Sequence, residues 1–278
     1  MHDPASILED LRHLGVRPGD ALMVHVSLRA VGPIDGRAAA LVGVLDRAVG
    51  PSGTLMMTLG ARDDWAWVNE QPEERRAGLL AGTPVFDAST TPADPDVGVF
   101  AEVFRTTPGT VVSDHPEGRF GARGRLAQRF VRDVPWHHYY GPGSPLDRFV
   151  AAGGRVLRLG ADDDTTTVIH LAENRAPLAG KRTARRHRLV HGEDGPVVRI
   201  VDTLDDEDGI AEYPDVEGDE FAAILHDYLA TGRARTGTVG SAPCQLLEAP
   251  DLVDFAVAWI SAHARPVSAP ATGAGPRS

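Results

Sequence analysis

Cysteine is nearly absent: Cys244 is the one thiol in 278 residues. That count excludes an internal disulfide framework and any zinc site built from cysteines. Long apolar runs are missing too, since no stretch approaches the ~18 residues a membrane-spanning helix needs. His2-Asp3-Pro4 opens the chain without a basic region leading into an apolar segment, so a cytoplasmic protein that touches no membrane is expected. Positive charge is the scarcer sign, with 28 Lys and Arg against 39 Asp and Glu and a formal net charge of -11. Nucleic acid, whose phosphates such a surface repels, is thereby disfavoured as a partner. Neither the glycine spacing of a dinucleotide fingerprint nor that of a P-loop occurs. Of metal motifs, the HExxH and facial-triad spacings are lacking, and no internal repeat is found.

What is present is the composition of a globular protein, 42% apolar and 24% charged, long enough for a sizeable core. Ile7, Leu8, Leu11 and Leu14 recur at helical spacing within residues 6–15 before Gly15. Residues 21–26 read as a buried strand, 37–49 as an apolar helix and 54–59 as the next strand. This strand, helix, strand order with short links is the signature of a parallel βαβ unit, and the fold class is α/β. Residues 60–95 carry Trp65, Trp67, many acids and several prolines, with one short helix at 73–80; so long an irregular run is functional or mobile. A helix at 98–104, a strand over 111–120 and a helix over 123–131 follow. Residues 186–190 and 197–201 pair through the turn at 192–195. Helices are expected at 221–230 and 252–262, joined through a glycine-rich link at 237–241. One large domain spans 1–265, and the Pro- and Ala-rich tail 266–278 is expected to be disordered.

The chemistry concentrates in residues 160–173. A short strand, 155–159, empties into Asp162-Asp163-Asp164 and three threonines, and a helix begins that Asp164 or a neighbouring threonine would cap. Thr167, His170 and Glu173 stand at three-residue spacing, on one helical face. The three aspartates then serve as a cap and a cation-attracting rim. Further acids gather at Asp205 to Asp208, Asp215, Glu217, Asp219 and Glu220. Like charges so close together raise the free energy of the empty state unless a cation relieves it, which points to a polycationic ligand. Cys244 has no adjacent His or basic cluster and is no nucleophile.

Several ordered motifs carry a resemblance: Val24 through Gly32, Gly50 through Leu55, Ser113-Asp114-His115-Pro116, Gly141 through Leu146, Leu159-Gly160-Ala161, Thr167 through Glu173, Gly237 through Gly240 and Leu252 through Ala256. Together they resemble the antibiotic N-acetyltransferase family, the aminoglycoside 3-N-acetyltransferases, over nearly the whole chain up to the tail. The resemblance implies an α-β-α sandwich distinct from the GNAT acetyltransferases. It also implies acetyl-CoA as cosubstrate, no metal, and transfer to the 3-amino group of an aminoglycoside, with antibiotic resistance as a consequence. His170 is then the general base, oriented by a carboxylate on its far nitrogen. The family pattern puts Glu207 first for that partner and Asp206 next, while Glu173 competes on local geometry. Thr167, or backbone N–H groups after the His25 strand, would hold the thioester oxygen.

By the same resemblance Ser27, Leu28, Arg29, Ala30, Val31 and Gly32 contact the pantetheine and diphosphate, and Ser113, His115, Phe120 and Ser144 line the same cofactor. Asp63, Asp64, Glu173, Asp206, Asp219 and Glu220 are the candidate acceptor ligands, from loops at about 60–95 and 202–220. With no nucleophilic cysteine, direct transfer within a ternary complex is expected. Three other readings stay open: acetylation of another amine natural product, a metal-dependent hydrolase using His115, His137, His138 and His170, and a cation-binding protein without catalysis. A homodimer is compatible with the sequence, which fixes no oligomeric state.

Overall fold

The computed structural model describes residues 1–267, so the expected disorder from residue 268 onward lies outside the described residues. The chain opens with α1 (Pro4–Leu14), β1 (Ala21–Val26), the single turn α2 (Leu28–Val31), α3 (Arg37–Val49) and β2 (Thr54–Thr58). After an irregular stretch holding α4 (Glu73–Leu80) come α5 (Val99–Thr106), β3 (Val111–Val112), β4 (Phe120–Gly124), α6 (Ala127–Val131) and α7 (Pro145–Ala151). β5 (Arg155–Leu159) leads into α8 (Ile169–Arg175), and a hairpin of β6 (Thr183–Gly192) and β7 (Gly195–Leu204) follows. α9 (Glu220–Ala230), β8 (Arg235–Val239), β9 (Ala242–Glu248) and α10 (Ala249–His263) close the described fold.

Seven strands form one sheet in the order β3-β4-β2-β1-β5-β9-β8, and the β6-β7 hairpin forms a second, two-stranded sheet. The expected βαβ unit is present: β1 pairs in parallel with β2 and, on its other side, with β5. Because side chains alternate across a strand, both sheet faces are apolar. Met23, Met56, Ala122, Val156 and Leu247 pack under α8, α9 and α10. Leu22, Val24, Leu55, Leu157 and Leu246 pack under α1, α3 and α5. The result is the three-layer α-β-α sandwich.

Three expectations are corrected. The helix predicted over 123–131 is a strand end followed by a short helix, since β4 pairs residue for residue with β2 and buries Phe120 and Ala122. The strand predicted over 111–120 shrinks to Val111–Val112, because Pro116 has no N–H to give a ladder. The glycine-rich link at 237–241 is edge strand β8 and its turn; pairing with β9 overrides the poor strand propensity of glycine.

Candidate active site

β1 neighbours β2 on one side and β5 on the other, so the connections leave its carboxyl end in opposite directions. In open α/β sheets such a switch point opens a crevice. Here it is a cavity of about 470 Å³ lined by His25, Ser27 and Arg29 after β1, Thr58 at the end of β2, and Asp162, Asp164 and Thr165 after β5, with His170 and Phe221 beyond. The close approach of α2 to β5 depends on Gly160, whose φ of +61° and missing side chain admit Ala30: a Cβ there would lie 2.4 Å from that of Ala30.

Buried Arg158 donates to the carbonyls of Ala161 (3.0 Å) and Asp162 (2.6 Å) and pairs with Asp163 at 3.3 Å, fixing the acidic turn. α8 starts only at Ile169, after Val168, and no side chain caps it. The expected cap by Asp164 or a threonine is therefore not formed. Of the acidic cluster, Asp163 is paired with Arg158 and His226, while Asp162 and Asp164 face the cavity.

His170 Nδ1 lies 2.7 Å from Glu173 Oε2. Tyr140 stacks on the imidazole at 4.7 Å and 8° between planes, and Phe221 meets it at 4.7 Å with a 59° tilt. Burial disfavours the charged ring, but the hydrogen bond and charge of Glu173, aided by Asp206 and Glu220, raise the His170 pKa above its usual value. Lys181 donates to the Glu173 carbonyl (2.6 Å) and the Asn174 carbonyl (3.1 Å), satisfying the end of α8.

A second hollow, of about 260 Å³, shares Asp164, His170 and Phe221 with the first and adds Glu173, Asp206, Glu207, Asp208, Asp219 and Glu220. Among the described residues no Lys or Arg lines it. His170 stands where the two meet. Burial would push the Asp206 carboxyl up, but the Arg186 guanidinium at 2.7 Å, the His170 imidazole and the Tyr139 hydroxyl hold it below its usual value. Glu220 is raised, chiefly by burial and then by Asp219 and Glu173. Asp219 also caps α9 by accepting from the Ala222 N–H at 2.9 Å.

The structure separates several residues the sequence reading joined. Glu207 reaches no histidine: it is 77% exposed and lies 3.1 Å from Arg186. The imidazole partner is Glu173, one turn along, because α8 is regular there and both side chains leave its inner face. Ser113, His115, Phe120 and Ser144 are not on the cavity wall. Ser113 Oγ accepts from the Phe120 N–H, His115 Nδ1 accepts from the Gly118 N–H, Phe120 packs on Tyr140, and Ser144 caps α7. Ser27, Leu28 and Arg29 line the cavity, but Ala30, Val31 and Gly32 do not; Val31 is wholly buried. Thr167 does line it, just before α8.

Asp63 and Asp64 lie apart from the acidic hollow, on a separate cavity of about 530 Å³. Asp63 is neutralised by Arg188, which also pairs with Glu117, and Asp64 pairs with Arg62. The loop they occupy is held by buried Arg119, which donates to the carbonyls of Gly60, Ala88, Thr91 and Pro92. Among the described residues no group of three His, Cys, Asp or Glu could hold a metal ion. His115 bonds the Trp136 carbonyl and His137 accepts from the Asp202 N–H. Sequence reasoning missed His25 as a site residue, along with Thr58. His25 was legible only as a member of a buried strand.

The family model described as aminoglycoside 3-N-acetyltransferase matches residues 23–261. The chain is 39% identical over 264 residues to aminoglycoside N(3)-acetyltransferase VII of Streptomyces paromomycinus, covering 91% of this chain and 90% of that protein. It superposes on aminoglycoside acetyltransferase AAC(3)-Xa with a TM-score of 0.89 at 37% identity, covering 94% and 93% of the two chains. It is similar also to AAC-IIIb in binary complex with CoASH, TM-score 0.87 at 34% identity over 96% and 99% of the chains. For sisomicin-bound AAC-VIa the TM-score is 0.87 at 35% identity over 95% and 99%. With the fold and most of its length in common with these acyltransferases, the chain belongs to the aminoglycoside 3-N-acetyltransferase family.

Proposed function

We propose that this enzyme transfers the acetyl group of acetyl-CoA to the 3-amino group of an aminoglycoside, with His170 as general base and Glu173 as its orienting acid. The observation that carries the reading is the position of His170 between a cavity of mixed polar and apolar lining and a hollow lined by carboxylates. The first suits coenzyme A: Val26, Leu28, Met57, Val97 and Phe100 offer apolar contact to the pantetheine stem, and exposed Arg29 offers a cation to the phosphates. The second suits a polycation, whose charges would relieve the crowding of Asp206, Glu207, Asp208, Asp219 and Glu220. A CoASH complex and a sisomicin complex among the structural neighbours support both assignments.

Glu173 accepts from Nδ1–H, leaving Nε2 of His170 unprotonated as the base. His170 takes the proton of the acceptor amine as the N–C bond forms, Glu173 stabilises the imidazolium, and the proton passes to the departing sulfur as the C–S bond breaks. Tyr140 and Phe221 hold the ring in place throughout. Direct transfer is favoured because Cys244 is buried and its thiol is pushed up to about 11 by that burial. Residues 1–265 act as one catalytic unit in this reading, with the 202–220 segment supplying much of the acceptor site.

The test is release of free thiol from acetyl-CoA on addition of kanamycin-, gentamicin- and apramycin-like acceptors, with product regiochemistry by NMR. Acetylation at the 3-amino group supports the proposal. Turnover with simple amines alone points to another amine substrate, and no turnover with any acceptor overturns the enzyme's assigned reaction.

A further inference from the structure

His25 and Arg158 stand directly opposite each other on the parallel strands β1 and β5. Both are nearly sealed, at 5% and 0% exposure. Each keeps one nitrogen buried without a partner: Nε2 of His25 and Nε of Arg158. The neighbouring guanidinium is positive and can only donate, and among the described residues no acceptor stands at Nε2, so the imidazole is more stable with Nε2 bare than with a buried N–H left unpaired there. The imidazole is also neutral, since burial, reinforced by the Arg158 charge, pushes its pKa down to about 3. A neutral ring with Nε2 bare carries its proton on Nδ1. His25 lines the same cavity as His170, on the sheet face that α8 covers, two residues from Met23 in the core beneath that helix.

We propose that His25 is a catalytic hydrogen-bond donor: its neutral imidazole, with the proton fixed on Nδ1 by Arg158, donates to the acetyl carbonyl oxygen of the thioester. This inference rests on the acetyl-transfer reading. As the amine nitrogen bonds to the carbonyl carbon, the C=O electron pair moves onto oxygen, where Nδ1–H stabilises it without being transferred. When the C–S bond breaks that pair returns to the carbonyl, and the proton taken by His170 goes to sulfur. His25 thus ends as it began. A donor that is neutral and held before the reaction costs no reorganisation when charge develops. Arg158 acts as a positioning residue, held by Asp163 and by the carbonyls of Ala161 and Asp162.

Two measurements test this. In the first, His25→Ala should lower kcat by about 10²–10³-fold, with coenzyme A affinity by calorimetry within about threefold. His25→Asn, whose amide hydrogen lies near Nδ1, should recover about tenfold over alanine, whereas His25→Gln, which reaches only toward Nε2, should not. In the second, ¹⁵N NMR of the wild-type protein should show the Nδ1–H tautomer from pH 6 to 9, whatever the variants do. A His25→Ala protein within threefold of wild-type kcat, or an Nε2–H tautomer, overturns the proposal. Wild-type enzyme that releases no thiol from acetyl-CoA removes the broader reading and this one together. An active wild type with an indifferent His25→Ala variant removes this one alone.

Discussion

His170 and Glu173 form a 2.7 Å hydrogen bond across one turn of α8, with the carboxylate 3% and the imidazole 19% exposed. Among the described residues the imidazole is this buried carboxylate's one side-chain partner, and the pairing fixes which ring nitrogen carries a proton. The imidazole and the carboxylate that holds it therefore come from one seven-residue helix.

Replacement of His170 by alanine or glutamine should reduce kcat at neutral pH by about 10²–10⁴-fold, the span associated with loss of a general base. Affinity for coenzyme A, measured by calorimetry, should change by less than about threefold. Wild-type turnover in the variant would remove His170 from the mechanism.

The raised pKa of His170 sets the sign of the pH dependence. Only the neutral imidazole accepts a proton, so kcat/KM should rise with pH through a midpoint above 6.5. In Glu173→Gln the carboxylate is gone and burial dominates, so that midpoint should fall below the wild-type value, by NMR titration of the ring as well as by kinetics. At pH 8 the variant should lose at least about tenfold in kcat, ~1.4 kcal/mol of barrier. Glu207→Gln should leave the midpoint unchanged, because Glu207 meets Arg186 and not the imidazole.

Acceptor affinity should track the hollow beside His170. Asp208→Asn and Glu220→Gln line it and should each raise the acceptor KM several-fold, the effect shrinking as salt is added. Asp63→Asn, whose charge Arg188 already neutralises, should shift that KM by less than twofold. Equal sensitivity at Asp63 would move the acceptor to the other cavity.

Arg119 is wholly buried and its guanidinium bonds carbonyls at both ends of the 60–92 segment. Arg119→Met would leave the carbonyls of Gly60, Ala88 and Thr91 without this donor, at ~1–3 kcal/mol each. A loss of about 3 kcal/mol corresponds to a fall in Tm of roughly 6–12 °C. Calorimetry showing a Tm within about 2 °C of wild type would mean that the loop holds itself.

Much of this protein is set by local pattern alone. The apolar run Ala21–Val26, the helix Arg37–Val49 and the strand Thr54–Thr58 stand where hydrophobic periodicity places them, because burial on both sheet faces demands continuous apolar strands. His170 among acids was equally legible, since three-residue spacing on a helix makes neighbours whatever surrounds them. So was the density of carboxylates between residues 205 and 220, on which the proposed acceptor hollow draws. Glycine propensity misled at Gly237, where pairing with Ala242–Glu248 makes an edge strand.

Tertiary structure alone decided the rest, because those choices depend on partners far apart in sequence. Spacing already made Glu173 a candidate partner of His170; only the fold shows that Glu207, the family pattern's first choice, turns to Arg186 instead. Asp63 looks like a free acid until Arg188 closes on it across 125 positions. His25 reads as one more residue of a buried strand until the register sets it against Arg158 with an unpaired nitrogen. Composition and periodicity report which residues seek burial or charge. Which side chains stand opposite one another is fixed only when strands from distant parts of the chain come into register.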